Sequence, residues 1–372
     1  MRTILVTGPG GAGRSTVAAA TALAEARQGQ RTLLVTGDPT ERFAPGDGAP
    51  VVRRIDSGAY FRAELLAFQE RAATALGLLG AAPFAEEELT ELPGSDRFAL
   101  LRALRDAAAG DWDLLVVDLP PLPDAIAVLA LPEQLRRYLR RLLPPERQAA
   151  RALRPMLAQL AGVPMPAEWL YETAARWDAE LATVQALVEA PTTSVRLVVE
   201  PGPAAAGTLR TARAGLALHG LALDPVVANR MLPAASPDPW LAGLAAQQQD
   251  HLKALGEVQE LPHLGRDPRT AGDLALLELP AAPPAQAPDW PVEDRRDPDG
   301  VLVWRIPLPG AAKPDLGLVR RGDELVLTVG PFRRIVPLPS VLRRCTVSGA
   351  GLTDGVLGVR FAPDPDLWPR TR

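Results

Sequence analysis

The sequence contains little cysteine and little histidine. Its 372 residues include one cysteine, Cys345, and three histidines, His219, His251 and His263. A single thiol excludes an intrachain disulfide and a cysteine-rich zinc site. The histidines are scattered along the chain, which favours packing or surface roles over metal binding.

Long apolar runs and an excess of basic residues are also missing. No stretch approaches the ~20 apolar residues that a membrane-spanning helix needs, and the N-terminus enters a strand without a signal-peptide pattern. The formal net charge is −4, which gives no reason to expect a nucleic acid partner. We therefore expect a cytoplasmic protein with no membrane span.

The chain has the composition and the length of a two-domain globular protein. Apolar residues make up 47% and charged residues 23%, and 372 residues are too many for one core. Residues 281–299 are dense in proline and charge, which predicts an extended linker without regular structure. From 300 to 364 apolar residues alternate with a period of two between Gly, Pro and Asp turns, which predicts a small β-sandwich.

The N-terminal stretch predicts an anion-binding loop. Ile4, Leu5 and Val6 indicate a buried strand, and 14–28 indicates a helix. Glycines between them let the backbone approach phosphate oxygens, and a helix N-terminus favours negative charge. The spacing G-x4-G-R-S fits a P-loop, with Arg14 in place of the expected lysine. The glycines concerned are Gly8, Gly10, Gly11 and Gly13.

The same glycines also satisfy the dinucleotide-binding pattern G-x-G-x-x-G. A Rossmann site needs an acid at the end of the second strand to bind the ribose, and Asp38 stands there. A Rossmann loop does not need Arg-Ser-Thr after its last glycine. A phosphate and magnesium site does use such residues, because Ser15 can ligate the metal while the cation at 14 reaches the phosphates. The spacing therefore favours the P-loop.

A second informative stretch is the apolar strand that ends at Asp118. Its carboxylate emerges at the carboxyl edge of the predicted sheet, where doubly wound folds bind ligands. An aspartate at that place suits the water shell of magnesium, although it could also cap the following turn.

Between residues 59 and 279 strands and helices alternate. Repeated units of this kind predict a doubly wound, mostly parallel α/β sheet with helices on both faces. The helices at 124–188 fit either a packed core or an apolar groove for partner helices. Helices are predicted at about 59–80, 96–109, 124–188, 205–219, 240–255 and 271–279, and strands at 194–199 and 225–228.

Several motifs occur in the order typical of one family. Four segments resemble those of the ArsA family of arsenite-pump and tail-anchored-protein-targeting ATPases. They are the P-loop (MRTILVTGPGGAGRST), the PG-D element (ELPGSD), switch II (DLLVVDLPPLPD) and the adenine-side segment (VVANRMLP). WRIPLPGAAKPDLGLVRR resembles the α-crystallin-like domain of some bacterial members. The resemblance implies a P-loop NTPase domain over 1–280, with a helical subdomain at about 57–110 and 122–190, and an α-crystallin-like domain over 300–364.

The resemblance also implies ligands, partners and residue roles. The protein would bind ATP or ADP with Mg²⁺, would form a homodimer or a heterodimer with an intact relative, and would hold an apolar protein client in a groove. Ser15 would ligate magnesium, Asp118 would act on it indirectly as part of switch II, and Asn229 would bond the base. The nucleotide-binding set is Gly10, Gly11, Ala12, Gly13, Arg14, Ser15, Thr16 and Asn229; the catalytic set is Asp38, Asp47 and Asp118.

The sequence departs from the family pattern at the catalytic side chains. The signature lysine that reaches the partner's phosphates is Pro9 here, and a proline side chain cannot donate. Arg14 keeps a charge but is larger and differently shaped than lysine. The acid expected seven residues after Asp38 falls on Pro45, with Asp47 two residues late. We therefore expect nucleotide binding with weak or absent hydrolysis by the chain alone.

Three other functions stay open at this point. The chain could be a working ATPase in which Arg14 and Asp47 substitute for the missing groups. It could be a chaperone module that uses its helical groove and C-terminal domain without nucleotide. Oxidoreductase chemistry through the G-x-G-x-x-G pattern is a further alternative.

Overall fold

The computed structural model describes residues 1–39, 48–73, 77, 80, 82–143, 168–279 and 286–368. Within these ranges seven strands form one parallel sheet: β1 (Arg2–Thr7), β2 (Thr32–Thr36), β3 (Val51–Arg54), β4 (Leu114–Asp118), β5 (Thr193–Val199), β6 (Val226–Met231) and β7 (Val258–Pro262). They lie in the order β3-β2-β4-β1-β5-β6-β7, and every pairing is parallel. The predicted doubly wound α/β fold is confirmed.

Helices cover both faces of this sheet. They are α1 (Arg14–Arg27), α2 (Ser57–Arg71), α3 (Ser95–Ala108), α4 (Asp124–Leu142), α5 (Glu168–Val188), α6 (Ala205–Leu218), α7 (Pro239–Lys253) and α8 (Ala271–Ala275). Helices α1 and α8 share one buried cluster with the sheet, and α3 to α6 share the other. In the part of the chain that the structure describes, no helix is long and apolar enough to cross a membrane.

The alternation of side chains along the central strands explains the two clusters. Ile4 and Val6 pack with α1, whereas Leu5 packs on the opposite face. In β4, Val116 packs on the face that α1 covers and Val117 packs on the opposite face. Successive residues of a strand point to opposite faces, so a strand covered on both sides needs an unbroken apolar run. This is why β1 and β4 contain no polar alternation.

The C-terminal part of the chain is a small antiparallel β-sandwich, as predicted. Its strands are β8 (Val292–Arg295), β9 (Val301–Pro307), β10 (Leu316–Arg321), β11 (Glu324–Val329), β12 (Phe332–Pro337), β13 (Cys345–Thr353) and β14 (Val356–Pro363). One sheet has the order β10-β11-β12 and the other β13-β14-β9-β8. Trp304, Leu325 and Phe361 are buried and belong to one core.

The prediction that 281–299 lacks regular structure is wrong for its second half. Strand β8 pairs with β9 from Val292 opposite Trp304 to Arg295 opposite Val301. A four-residue helix over Arg296–Asp299 follows. The proline composition was the basis of the prediction, but β8 lies at the edge of its sheet and takes its hydrogen bonds from β9. Where one domain ends and the next begins stays a prediction.

Several predicted element bounds also differ from those in the structure. The helix predicted at 59–80 begins at Ser57 and ends at Arg71. The strand predicted at 225–228 runs on to Met231 and so includes Asn229 and Arg230. Residues 144–167, within the predicted long helices, lie outside the described residues.

The sandwich packs directly against helices α4 and α6. A side-chain carbon added at Gly215 of α6 would lie 2.5 Å from the ring of Phe332, so the glycine lets this ring rest on the helix. Apolar residues of both parts belong to a single buried cluster. Two ion pairs join α4 to the sandwich: Arg137 with Glu324, and Glu133 with Arg334.

His219, at the end of α6 beside this contact, is expected to make stability depend on pH. Burial, and to a lesser extent the Arg334 guanidinium, lowers the pKa of His219 to about 4. Its pKa in the unfolded chain is about 6.5, so unfolding takes up a proton between these values and stability falls as the pH falls. We expect this group to remove about 2 kcal/mol between pH 7 and pH 5, measured by urea unfolding. In His219→Gln that loss should disappear, and equal pH slopes in both proteins would contradict the assignment.

Candidate functional site

The glycine loop lies at the carboxyl edge of the sheet, beside the end of β4. Val6 pairs with Asp118, so β1 and β4 end at the same level. The Thr7 hydroxyl donates a hydrogen bond of 2.8 Å to the carbonyl of Pro120. The glycine loop and the segment that follows Asp118 are therefore held together as one unit.

Three glycines of this loop are required by its geometry. A side-chain carbon at Gly8 would lie 2.0 Å from the carbonyl oxygen of Val198 on β5. Gly11 and Gly13 have φ angles of 81° and 91°, in the left-handed region that favours glycine. At Gly13 an added carbon would also lie 2.2 Å from the amide nitrogen of Asn229.

The first turn of α1 presents unpaired backbone donors to this loop. Gly13 is the N-cap residue and offers no side-chain cap, and no acidic residue stands in the first turn. The first N–H groups of a helix have no partner within it, and the helix dipole attracts negative charge there. This end of α1 is thus suited to an anion such as phosphate.

A cavity of about 660 Å³ opens in front of the loop, and we call it the phosphate-side cavity. Gly11 and Gly13 line this cavity with their backbone. Five of the residues that the sequence analysis assigned to the nucleotide-binding or catalytic set line it as well: Arg14, Ser15, Thr16, Asp38 and Asp118.

Asp118 is a buried carboxylate, and one of its oxygens has no hydrogen-bond partner. Its Oδ2 accepts a hydrogen bond of 2.8 Å from the Thr36 hydroxyl, while Oδ1 is buried without a hydrogen-bond partner. Burial raises the pKa of Asp118, and the nearby Ser15 hydroxyl, Thr36 and the Arg14 guanidinium oppose that rise. A carboxylate and a neighbouring serine hydroxyl are oxygen ligands of the kind that a hard divalent cation prefers.

The side chain of Arg14 contacts the backbone after β4. Its Nη1 donates a hydrogen bond to the carbonyl oxygen of Leu119. The guanidinium thus bridges the glycine loop and the segment that begins at Leu119.

A second cavity of about 510 Å³ lies beside the first, and Gly13 and Thr16 line both. We call it the base-side cavity. Asn229 lines it and is buried; its Nδ2 donates a hydrogen bond of 2.9 Å to the Ala12 carbonyl. The predicted contact of Asn229 with a base stays a prediction. The remaining wall comes mainly from the end of β7 and the loop that follows it: Pro262, His263, Leu264, Arg266, Asp267, Pro268 and Arg269.

Family models match nearly the whole chain. A model described as "Anion-transporting ATPase" matches residues 1–45 and 51–264. The chain belongs to the ArsA ATPase family. A second model, described as an HSP20-like domain found in ArsA, matches residues 299–361, which cover the sandwich strands β9 to β13 and most of β14. The recognition made from sequence motifs is therefore confirmed.

Whole-length relatives agree with this family. An uncharacterized protein of Streptomyces coelicolor is 58% identical, over 100% of both chains. A protein of Mycobacterium tuberculosis is 30% identical, over 99% of this chain and 97% of its own length. A protein of Aquifex aeolicus, named as a candidate arsenical pump-driving ATPase, is 25% identical over 92% of this chain and 95% of its own.

Three predicted site residues, Gly10, Ala12 and Asp47, are not among the described residues that line either cavity. Gly10 and Ala12 lie in the loop but line neither cavity; Ala12 is buried and contributes its carbonyl. Asp47 lies outside the described residues. Among the residues that the structure does describe, no group of three or more His, Cys, Asp or Glu side chains is arranged to hold a metal.

Arg230 is a site residue that the sequence analysis did not select. It lines both cavities, and its Nη1 donates to the Gly11 carbonyl at 3.0 Å. One signal could have indicated it, because it follows Asn229 at the carboxyl edge of the sheet, where ligands bind. Because β6 was predicted to end at residue 228, the sequence analysis assigned no role to the side chain of Arg230.

Proposed function

We propose that this ArsA-family protein binds Mg-ATP, with the phosphates in the phosphate-side cavity and the base in the base-side cavity. The observation that carries the proposal is the glycine loop, whose left-handed Gly11 and Gly13 lead into an uncapped α1. Gly13 and Thr16 line both cavities, so the two cavities are adjacent, as one extended ligand would need. The parallel order of the sheet places both of them at its carboxyl edge.

Magnesium fits the residues at the end of β4. Ser15 would hold it directly and Asp118 would hold it through water, consistent with the buried oxygen of Asp118 that lacks a partner. The chemistry that magnesium supplies in such a site is neutralisation of charge on the phosphate oxygens. Thr36 fixes Asp118 for this role through its hydrogen bond.

We further propose that hydrolysis by the chain alone is slow. Pro9 offers no side-chain cation, and the Arg14 guanidinium is engaged by the Leu119 carbonyl. Removing a transition-state cation can lower the rate of phosphoryl transfer by ~10³ to 10⁵. Backbone donors bind the ground state nearly as well without it, so binding should survive where catalysis does not.

The protein would then act as a client-binding or regulatory subunit, as a homodimer or with an intact relative. One observation favours client binding. A cavity of about 290 Å³ lies among helices α2, α3, α4 and α5, and its lining combines apolar residues such as Leu101 and Leu181 with charged ones such as Arg102 and Glu180. Phe98 and Trp177 also line this cavity and are 39% and 45% exposed, so their rings are accessible to a partner.

A phosphate-release assay tests the catalytic part of this proposal. The purified chain with Mg-ATP should turn over far below ~1 s⁻¹, the lower end of ordinary enzymes. Pro9→Lys should raise the rate by at least ~10-fold, because it restores a cation at the terminal phosphates. Pro337→Lys, at an exposed position of the sandwich, is the control and should change nothing. Turnover of about 1 s⁻¹ or more by the unmodified chain would contradict the proposal.

A further inference from the structure

We infer that Arg230 contacts the nucleotide phosphates from within the same chain and strengthens nucleotide binding, without replacing the transition-state cation that is missing at Pro9. The inference rests on the proposed nucleotide site and names one residue of it. Three observations carry it: a local break in strand β6, a buried amide that fixes this break, and the place of the guanidinium between the two cavities.

The break is a β-bulge that turns two consecutive side chains to one side. Ala228 pairs with Glu260 and Met231 with Pro262, so β6 advances three residues while β7 advances two. In a regular strand Asn229 and Arg230 would point to opposite faces. Here the two side chains bond to adjacent loop carbonyls, those of Ala12 and Gly11. Bulges next to active sites commonly redirect a side chain in this way.

A buried glutamine holds the bulge in place. Arg230 has a φ of 59°, a left-handed conformation that is uncommon for residues other than glycine. The side-chain amide of Gln248 on α7 donates to the Arg230 carbonyl at 3.0 Å, and its oxygen accepts from the Leu232 N–H at 2.8 Å. Gln248 is only 8% exposed. Strained conformations that are fixed from both sides occur preferentially at functional sites.

The guanidinium is well placed to reach phosphate. Arg230 lines both cavities at the point where a bound nucleotide would pass from one to the other. Its side chain is 41% exposed and rests on Glu200 at 3.2 Å, so no packed side chain confines it. An exposed ion pair of this kind contributes little energy, so a phosphate chain can displace Glu200. The charge of the guanidinium then attracts the phosphate oxygens.

Calorimetric titration with Mg-ATP tests this role. Arg230→Ala and Arg230→Gln should each weaken binding about tenfold, whereas Arg230→Lys should stay within about threefold of the unmodified protein, because it keeps the charge. Arg360→Ala, an exposed arginine of the sandwich, is the matched control and should bind normally. Gln248→Ala should weaken Mg-ATP binding when Arg230 is present. It should cause no further loss of affinity in the Arg230→Ala background, because Gln248 acts through Arg230.

The outcomes separate this inference from the function on which it rests. Equal Mg-ATP affinities for Arg230→Ala and the unmodified chain would overturn the inference and leave the nucleotide site standing. A loss in Arg230→Lys as large as in Arg230→Ala would also overturn it, because the contact would then not depend on charge. If the unmodified chain binds no Mg-ATP, the proposed function fails and this inference fails with it.

Discussion

Replacing Asp224 by alanine is expected to lower the free energy of unfolding by about 3 to 5 kcal/mol. Asp224 accepts a hydrogen bond from Arg196 on β5 at 3.3 Å, and both side chains are at most 1% exposed. Without the carboxylate the buried guanidinium would lose this ion pair, and burial already lowers the pKa of Arg196. The measurement is urea unfolding of the full chain at pH 7.

Two variants serve as controls for this effect. Asp250→Ala breaks an ion pair with Lys253 whose side chains are 73% and 76% exposed, and should leave stability unchanged. Replacing both members of the buried pair, Arg196→Met with Asp224→Leu, should cost less than Asp224→Ala alone, because neither member of the pair then stays buried without the other. A loss in Asp224→Ala no larger than in Asp250→Ala would show that the buried pair contributes nothing.

Replacing Gly13 by alanine is expected to weaken Mg-ATP binding at least ~100-fold, about 3 kcal/mol. The added carbon would lie 2.2 Å from the Asn229 amide, and the φ of 91° is strained for any other residue. The loop would have to shift, and the first N–H groups of α1 would turn away from the phosphates. Calorimetric titration measures the loss.

Gly10→Ala is the matched control in the same loop. No atom lies within 4 Å of a carbon added at Gly10, and its φ is not in the left-handed region. Its thermal unfolding should equal that of the unmodified chain, and its affinity should fall less than tenfold. Equal affinities for Gly13→Ala and the unmodified chain would mean that the loop does not bind phosphate through its backbone.

The sequence was sufficient to predict the fold and the loop because both depend on local patterns. Unbroken apolar runs in β1 and β4 are diagnostic of strands covered on both faces, and the glycine spacing fixes a backbone shape. Asp118 could be placed because parallel strands end at one edge. These inferences needed no knowledge of which distant residues meet.

The features that could not be predicted depend on long-range pairing. Strand β8 forms in a proline-rich stretch because β9 supplies its hydrogen bonds. The bulge at Arg230 depends on how β6 registers with β7 and on Gln248, which is far from the loop in sequence. The contact of Arg14 with the Leu119 carbonyl depends on how close the loop lies to β4. A side chain's direction at such places follows from tertiary packing, which residue type alone does not specify.

Calorimetric titration of the unmodified full chain tests the central claim most directly. Mg-ATP should bind with one nucleotide per chain, and binding should weaken in Ser15→Ala and when magnesium is withheld. NAD should give no heat of binding, because the residues that follow the glycine loop suit a phosphate and magnesium site. An absence of heat with Mg-ATP at millimolar concentration, or saturable binding of NAD instead, would contradict the account.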